Sequence, residues 1–380
     1  MTQSIPEAIT LFLCGDVMTG RGIDQVLPHP SQPEIFEPCL HSARDYVALA
    51  ETVNGPLRRP VEFAYPWGDA LAVLAAAAPD VRLINLETSI TTSAYHWPDK
   101  DIHYRMHPAN LPCLTAAGID VCALANNHVL DWGHQGLTDT LATLRQGGIA
   151  TVGAGRDVEE ARAPAIVDLA GKGRVLVFAF GCESSGIPPE WAAQRDAPGV
   201  ALLPDLSGKT LQGIADRVRM IKRPGDVAVA SIHWGGNWGY AIPASHRTFA
   251  RGLIDTAGVD IVHGHSSHHP MGLEIYRHRP IFYGCGDLLN DYEGIGAYES
   301  YRADLALMYF VTLNGDGCLR SLELVPLQRR RFRLCRASPA QAEWLRQTVA
   351  HGSIGLDCPL GIDAQGRLHW KRDTETPDSF

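Results

Sequence analysis

The sequence has little positive charge. Its 33 Lys and Arg residues are outnumbered by 42 Asp and Glu residues, and the 380-residue chain has a formal net charge of −9. Proteins that bind the phosphate backbone of nucleic acids need a basic face. The only dense basic run, at residues 329–333, is interpreted as a solvated strand end. The composition therefore argues against a nucleic-acid partner.

The sequence also lacks long apolar runs and paired cysteine motifs. No segment approaches the roughly 20 apolar residues of a membrane-spanning helix, and no basic region precedes the short apolar run near the N-terminus. The nine cysteines include no C-x-x-C pair, and Cys14, Cys122 and Cys182 lie in apolar strand-like runs. Reduced thiols in such runs behave as small hydrophobic groups. We expect reduced cysteines, a cytoplasmic location and no membrane span.

Common catalytic and nucleotide-binding motifs are absent or incomplete. The stretch GDVMTGRG from Gly15 is close to a phosphate-binding loop, but Arg21 stands where the lysine belongs and no Ser or Thr follows it. The GAG at residues 153–155 lacks the third glycine of a dinucleotide-binding loop. The absence of G-x-S-x-G argues against a serine hydrolase.

What the sequence does contain is short β-rich apolar runs that alternate with helical patterns. Helices are predicted from Gly136 to the glycines at 147 and 148, and over HRTFARGLIDTAGV. Further along, hairpins are predicted to turn at residues 171–173, 277–279 and 314–317. This pattern predicts an α/β fold with mixed sheets.

The domain organisation is predicted to be simple. Residues 28–68, rich in Pro and turn-forming residues, are predicted to form an irregular excursion. A capped helix is predicted to begin at Ser338. We expect one domain over residues 8–336, with a C-terminal helix and tail, residues 337–380, packed on it.

Five of the apolar runs end in residues of metal-ligand type. The ends carry Asp16, Glu87, Asn126-Asn127-His128, His233, and His265 with His268. Ligands bind at the carboxyl ends of strands in open α/β sheets, where carboxylates can bridge metals and imidazoles can terminate them. Each residue could instead be a turn former, a helix cap or a core histidine. The prediction of a metal site fails only if all of these alternatives are true at once. The sequence therefore predicts one or two divalent ions, of Mn, Zn, Fe, Co or Ni.

The order of the motifs resembles the CapA family, which is named for bacterial poly-γ-glutamate capsule synthesis. The motifs are GDVMTGRG, NLET, YRMHP, GIDVCALANNHVLDWGHQGLTDTL, GAGRDVEEARAPAIV, SIHWG, and HGHSSHHP followed by IFYGCGD. The resemblance runs from about Leu11 to Asp291. It implies a four-layer αββα sandwich of the calcineurin-like metallophosphoesterase fold, with a metal centre at one end.

The resemblance also implies roles for individual residues. By motif position it makes metal ligands of Asp16, Glu87, Asn127, His233, His265 and His268, and an acid or base of His128. Met18 stands in place of the histidine usual in the first metallophosphoesterase motif, and the spacing of the last histidine pair is one residue longer than usual. These departures weigh against the usual phosphoesterase chemistry.

The function expected from the sequence is metal-dependent epimerisation at a peptide Cα, as in a soluble branch of the family that resembles the epimerase of a lasso-peptide pathway. The metal would stabilise the enolate, His128 would transfer the α-proton, and Asp131, three residues on, would orient His128. For the residue on the opposite face, His134, His269, Cys285 and Asp287 all stay open.

Two other functions are alternatives, and a non-catalytic scaffold is a third interpretation because Met18 replaces an expected histidine. The alternatives are a metallophosphoesterase and a component of poly-γ-glutamate synthesis or export. The expected substrate is a peptide or a glutamyl polymer, and the sequence predicts no oligomeric state. Arg105 could bind a substrate carboxylate with both guanidinium nitrogens. Arg21 and Trp234 are further candidate substrate-binding residues.

Overall fold

The computed structural model describes residues 8–356 and 360–371. Its helices are α1 (Arg21–Val26), α2 (Ala43–Asn54), α3 (Ala70–Ala77), α4 (Pro112–Thr115), α5 (Gly133–Gln146), α6 (Val158–Arg162), α7 (Gly208–Ile221), α8 (Ala244–Asp255) and α9 (Pro339–His351). Its strands are β1 (Ile9–Val17), β2 (Val81–Leu86), β3 (Ser89–Ile90), β4 (Arg105–Met106), β5 (Val121–Ala123), β6 (Ala150–Val152), β7 (Ala154–Gly155), β8 (Ala165–Leu169), β9 (Gly173–Gly181), β10 (Gly199–Val200), β11 (Val227–His233), β12 (Ile261–His265), β13 (Leu273–Tyr276), β14 (Arg279–Phe282), β15 (Asp287–Leu289), β16 (Leu305–Leu313), β17 (Leu319–Arg330), β18 (Arg333–Arg336), β19 (Gly361–Ile362) and β20 (Leu368–Lys371).

The larger sheet is mixed. Its order is β19-β20-β17-β16-β1-β2-β5-β6, with β15 also beside β1 and β18 beside β17. Strands β1, β2, β5 and β6 run parallel to one another, whereas β16 is antiparallel to both β1 and β17. The parallel strands bring their carboxyl ends to one edge of the sheet, which is where ligands bind in such sheets.

The smaller sheet, of order β13-β14-β12-β11-β9-β8, packs face to face on the larger one. Strand β1 contacts β12, and β6 contacts β8 and β9. Alternate residues of β9 pack on opposite sides: Val175, Val177 and Ala179 in the core between the sheets, and Leu176, Phe178 and Phe180 in the core that α7 and α8 complete. Strands buried on both faces read as continuous apolar runs.

The outer face of the larger sheet is covered by helices in the same way. Buried residues of α2, α3 and α5 belong to the core formed on that sheet, while α7 and α8 pack on the smaller sheet. The layers therefore run helix, sheet, sheet, helix. The predicted four-layer αββα sandwich with mixed sheets is confirmed.

Most of the local predictions agree with the structure. The three predicted hairpins are the antiparallel pairs β8 and β9, β13 and β14, and β16 and β17. The C-terminal helix α9 starts after Ser338, which forms a reciprocal capping box with Gln341. Helix α5 begins at Gly133, three residues before the predicted start, and α8 ends at Asp255.

Two predictions from composition were right only in part, since the basic run at residues 329–333 is exposed at Arg330, Arg331 and Arg333 but not at Arg329. Residues 28–68 are not wholly irregular, because α2 lies within them and is stabilised by a capping box between Ser42 and Asp45. Arg329 is not solvated: its guanidinium is buried and donates to the main-chain carbonyls of Leu305 at 2.8 Å and Ala303 at 2.5 Å, and also to that of Asp287. The burial of Arg329 depends on these carbonyls and could not be predicted from its charge.

The C-terminal segment adds to the larger sheet. Helix α9 packs on β17, and β20 pairs with β17 in antiparallel fashion. The last part of the predicted tail, residues 372–380, lies outside the described residues, as does Cys358. The cysteines that the structure describes are not in disulfides. No helix among the described residues is both long and apolar enough to cross a membrane.

Candidate metal centre

Strand register brings the predicted ligands together. Asp16 on β1 is aligned with Asn85 on β2 and with Asp287 on β15. In the smaller sheet, His233 at the end of β11 is aligned with His265 at the end of β12. Because the two sheets face each other, the two aligned sets meet. Gly15 allows this approach, since a Cβ there would lie 1.8 Å from the carbonyl oxygen of Gly286.

Two groups of donor atoms result, and they share Asp16. One consists of Asp16, His233 and His265, and the other of Asp16, His268 and Asp287; within each group the donor atoms lie within 4.8 Å of one another. The Nδ1 atoms of His233 and His265 are 2.8 Å apart. Metal–nitrogen bonds of about 2.0–2.1 Å at a right angle would put two ligand atoms roughly 3 Å apart. The spacing suits two ligands of one ion.

Glu87 and Asn127 lie beside these groups. The Oε1 atom of Glu87 is 3.9 Å from Nε2 of His233 and 3.7 Å from Nε2 of His128. The Oδ1 atom of Asn127 is 3.1 Å from Nε2 of His233. The structure thus places all six predicted ligand residues in one buried or half-buried cluster and adds Asp287 to them. Their binding of metal stays a prediction.

The electrostatics of the cluster fit a cation. Burial, followed by repulsion from Asp287, raises the pKa of Asp16 to about 7. Burial, followed by repulsion from Asp16, raises the pKa of Glu87 well above its ordinary value. Within the described residues, Oδ2 of Asp16 is buried and has no hydrogen-bond partner. Oxygen and imidazole donors are the set that first-row divalent metals take, and such an ion would relieve the repulsion.

Around the cluster, hydrogen bonds fix the orientation of the carboxylate on β1. The side-chain amide of Asn85 donates to Oδ1 of Asp16 at 2.7 Å. The amide of Asn126 donates to Oδ1 of Asn85 at 3.0 Å and to the carbonyl of Leu86 at 2.9 Å. These asparagines hold the ends of β1, β2 and β5 in place. Outer partners of this kind orient the residues that bind a metal.

The tautomer of His265 follows from a second chain of hydrogen bonds. Nε2 of His263 lies 2.7 Å from the carbonyl oxygen of Cys14 and must therefore carry a proton. Burial lowers the pKa of His263 to about 4, so its Nδ1 is unprotonated and accepts from the Ser231 hydroxyl at 3.1 Å. Ser231 then accepts from Nε2 of His265 at 2.8 Å. The lone pair of His265 is left on Nδ1, which lies 3.8 Å from Oδ1 of Asp16.

Replacing Ser231 with Ala is therefore expected to weaken metal binding about tenfold to 100-fold, because it breaks the chain that fixes the His265 tautomer. Calorimetric titration of the metal-free protein with Zn²⁺ or Mn²⁺ measures the affinity. Ser267→Ala is the matched control, since Ser267 is equally buried but donates to the carbonyl of His269. Equal affinities in the two variants would contradict the role of Ser231.

His128 forms a dyad with Asp131 at the edge of the cluster. Nδ1 of His128 lies 2.7 Å from Oδ2 of Asp131, which also accepts the main-chain N–H of Tyr104 at 2.6 Å. The Tyr104 ring stacks on the imidazole with centroids 3.8 Å apart. Nζ of Lys100 is 2.7 Å from Oδ1 of Asp131 and 3.2 Å from Nδ1 of His128. The structure thus brings together the two residues predicted to be catalytic, and adds Lys100.

The same surroundings set the protonation of the dyad. Burial, then the positive charge of Lys100, lowers the pKa of His128 well below its ordinary value. Burial raises the pKa of Asp131 to about 6, although Lys100 opposes this shift. At neutral pH the imidazole is uncharged and the carboxylate is ionised. This is the state in which His128 can accept a proton through Nε2.

Members of the cluster and His128 of the dyad line one pocket of about 440 Å³, here called the central pocket. Glu87, His128 and His268 form part of its lining. Lys100, Tyr104, Tyr292 and Trp238 are among the residues that complete the walls. A substrate group in this pocket would meet the metal-ligand residues and the acid–base candidate together.

Only one of the three predicted substrate-binding residues lines this pocket in the described structure. Arg21 does so, with its guanidinium 2.5 Å from Asp291 and 2.8 Å from Glu37. Arg105 instead donates to the carbonyls of Ser93 and Gln32 at 2.8 and 2.9 Å. Its guanidinium also lies over the Trp132 ring, 3.7 Å from the ring centroid.

In the described structure neither Trp234 nor any of the four open acid–base candidates lines the central pocket. His269 is buried, and its ring stacks on that of Tyr301 with centroids 4.7 Å apart. The Trp234 indole is buried and donates to the carbonyl of Tyr283 at 2.9 Å. His134 is exposed on α5, and Cys285 is buried with its pKa raised by burial. Asp287 belongs to the metal-type cluster, where its Oδ1 is 2.9 Å from Nδ1 of His268. The functions of all these residues remain predictions.

The sequence analysis missed several residues of the site. They are Lys100, Asn85, Ser231 and His263, and the metal-type role of Asp287. Asn85 and His263 stood next to predicted motif residues, at positions two before Glu87 and two before His265. Alternation along a strand puts such positions on the same face, so that signal was available. Lys100 lies between strands, and no sequence pattern marked it.

A four-layer sandwich with Asp and His residues at converging strand ends is the architecture of calcineurin-like metallophosphoesterases. The family described as bacterial capsule synthesis protein PGA_cap matches residues 10–292. The chain belongs to this family, as its resemblance to CapA proteins predicts.

Its relatives carry names from polymer synthesis. The chain is 53% identical over 346 residues to the probable polyglutamine synthesis accessory proteins of two Mycobacterium tuberculosis strains, covering 90% of this chain and 91% of theirs. It is 26% identical over 314 residues to the PGA biosynthesis protein CapA of Bacillus subtilis, covering 82% of this chain and 70% of that protein. It is 23% identical over 321 residues to the capsule biosynthesis protein CapA of Bacillus anthracis, covering 84% of this chain and 67% of that protein.

Proposed function

We propose that the protein is a metal-dependent enzyme that acts on the amide bonds of a glutamyl polymer as an accessory to polymer synthesis. The observation that carries the proposal is the central pocket, where Glu87, Asn127 and His268 of the cluster line the same space as the neutral imidazole of His128. The names of the relatives supply the substrate class. They favour this alternative over epimerisation of a peptide residue, the main prediction from the sequence.

The proposed roles of the residues follow from their positions. A divalent ion in the cluster would polarise the amide carbonyl and lower the pKa of a bound water. His128 accepts a proton through Nε2 from the attacking nucleophile and returns it to the leaving amine. Asp131 holds Nδ1 of His128, so that Nε2 faces the pocket on the side of Glu87.

Positive charge in the pocket wall helps a substrate that carries carboxylates to approach the acidic residues of the cluster. Lys100 and Arg21 both line the pocket and bring positive charge to it. Each is paired with protein carboxylates, Lys100 with Asp131 and Arg21 with Asp291 and Glu37. They therefore reduce repulsion between the site and a glutamyl chain, rather than offering an unpaired cation to each side chain.

The proposal predicts that metal-loaded protein releases new amino groups from glutamyl or glutaminyl polymers. Fluorescamine measures the amino groups, mass spectrometry measures chain length, and chelator should stop the reaction. The assay is run in deuterated water with an aryl phosphate in parallel samples. Deuterium at Cα without new amino groups would favour epimerisation, and phosphate release without new amino groups would favour a phosphoesterase. Either outcome would overturn the proposal.

A further inference from the structure

A second cavity of about 340 Å³ lies beside the C-terminal helix α9, and is here called the α9 cavity. Its lining includes Tyr240, Ser300, Trp344, Gln347, Thr348 and His351. No Lys, Arg, Asp or Glu lines it in the described structure. Hydroxyl, amide and aromatic groups form hydrogen bonds and stack on planar groups without requiring charge on the ligand.

A strip of aromatic side chains links the central pocket with the α9 cavity. This aromatic strip consists of Trp238, Tyr301 and Tyr240. The Trp238 ring is 5.2 Å from His268 of the candidate metal centre, and Tyr301 is 5.3 Å from both Trp238 and Tyr240. Trp238 lines the central pocket and Tyr240 lines the α9 cavity, so the strip joins the two.

The segment that follows α9 is bonded to the smaller sheet, whereas α9 itself packs on β17 of the larger sheet. After α9, the main chain of Ile354 donates to Leu273 at 2.9 Å and accepts from Ile275 at 3.1 Å. Gly272 and Gly352 approach so closely that a Cβ on Gly272 would lie 2.1 Å from the carbonyl carbon of Gly352. Tyr301 and α9 lie beyond residues 10–292, the part that matches the family. The cavity therefore combines residues inside the matched range, such as Tyr240, with residues beyond it.

We propose that the aromatic strip and the α9 cavity bind further residues of the glutamyl chain whose reacting amide lies in the central pocket. This inference rests on the proposed function for the identity of the chain. The three centroid steps from His268 to Tyr240 are each more than 5 Å, whereas an extended α-linked chain advances at most about 3.3–3.6 Å per residue. A polymer that follows the strip therefore spends more than one residue on each step and several residues along its length.

The lack of Lys, Arg, Asp and Glu in the described lining indicates which features of the chain are recognised. The amide groups of the chain, and amidated side chains, can hydrogen-bond with Gln347 and Thr348 and stack on Trp344 and Tyr240. Ionised side chains would find no Lys or Arg among the described residues that line this cavity. Glutaminyl residues are therefore expected to bind here more tightly than glutamyl residues.

Binding of labelled oligomers of different lengths tests the inference. Amide-linked glutaminyl oligomers of about three and about twelve residues are used, because the longer can fill the central pocket, the strip and the α9 cavity together. The full-length protein should bind the longer oligomer about tenfold more tightly. Tyr240→Ala, and Thr348→Trp to fill the cavity, should each remove about fivefold to tenfold of that affinity and leave the short oligomer within about twofold.

Controls separate this inference from the proposed function. Thr348 is half-buried on α9, so its replacement does not empty the core, and Tyr276→Ala changes a tyrosine of β13 that lines neither cavity. Equal affinities for both oligomers in the wild type, or equal losses for both in the variants, would overturn the inference. Length-dependent binding that the two variants abolish, without release of amino groups, would uphold it and overturn the proposed function.

Discussion

Replacing Asp16 with Asn is expected to abolish metal binding in both candidate groups and at the same time to stabilise the metal-free protein. Asp16 is the residue that the two groups share. Its buried carboxylate pays a desolvation cost and is repelled by Asp287, which an amide of the same shape avoids. Elemental analysis after metal loading should find less than about a tenth of an equivalent bound. The unfolding temperature without metal should rise.

The stabilisation of the metal-free variant should depend on pH in a defined direction. The pKa of Asp16 is about 7 in the folded protein, against an ordinary value of 3.8. The folded wild type therefore holds a proton that the unfolded chain has lost, and it loses stability relative to Asp16→Asn as the pH rises from about 4 to about 7. Above about pH 7 the difference in the free energy of unfolding between the variant and the wild type should level off at roughly a few kcal/mol. Urea unfolding over this range measures it.

Two further variants make the metal result specific. His233→Ala removes a ligand from only one group, so binding in the group of Asp16, His268 and Asp287 should persist. Asp260→Asn changes an equally buried aspartate that pairs with Lys222 and Arg279 away from the cluster, and it should bind metal as the wild type does. Full metal content in Asp16→Asn would show that the ion is held elsewhere.

The ligand residues could be predicted because they follow apolar runs directly. Asp16, His233 and His265 each occupy or adjoin the last positions of a buried strand, and parallel strands end at one edge. That rule needs only the order of residues along the chain. It does not depend on which strands are neighbours, and the structure brings these residues together as the rule predicts, while their binding of metal stays a prediction.

Residues that depend on register or on loops could not be predicted in this way. Asp287 reaches Asp16 because the three-residue strand β15 pairs with β1 in a particular register. Lys100 reaches the dyad from a segment between strands. Arg105 and Arg329 carry charge, but main-chain carbonyls that only the folded chain assembles hold both of them. The residue types show that these positions are polar, but their contacts depend on the tertiary structure.

Replacing His128 with Ala is expected to lower the release of amino groups from a glutamyl polymer about 100-fold or more, with little change in metal content. The reason is that His128 is the group placed to move the proton, and loss of a positioned acid or base costs about 100-fold to 10,000-fold. Its Nδ1 is held by Asp131 and its ring by Tyr104, which fixes where Nε2 points. Initial rates with saturating polymer and saturating metal measure the loss.

The neighbours of His128 give the prediction its sharpest test, because they change different quantities. Asp131→Asn should lower the rate less, since Asp131 orients His128 without carrying the proton itself. Lys100→Met should move the acidic limb of the pH–rate profile to higher pH, because Lys100 lowers the pKa of His128. His134→Ala, an exposed histidine on α5, should react as the wild type does. If His128→Ala kept most of its activity, or if Lys100→Met left the profile unmoved, proton transfer would have to be assigned to another residue of the central pocket. His268, whose pKa Asp287 raises despite burial, would then be the residue to examine.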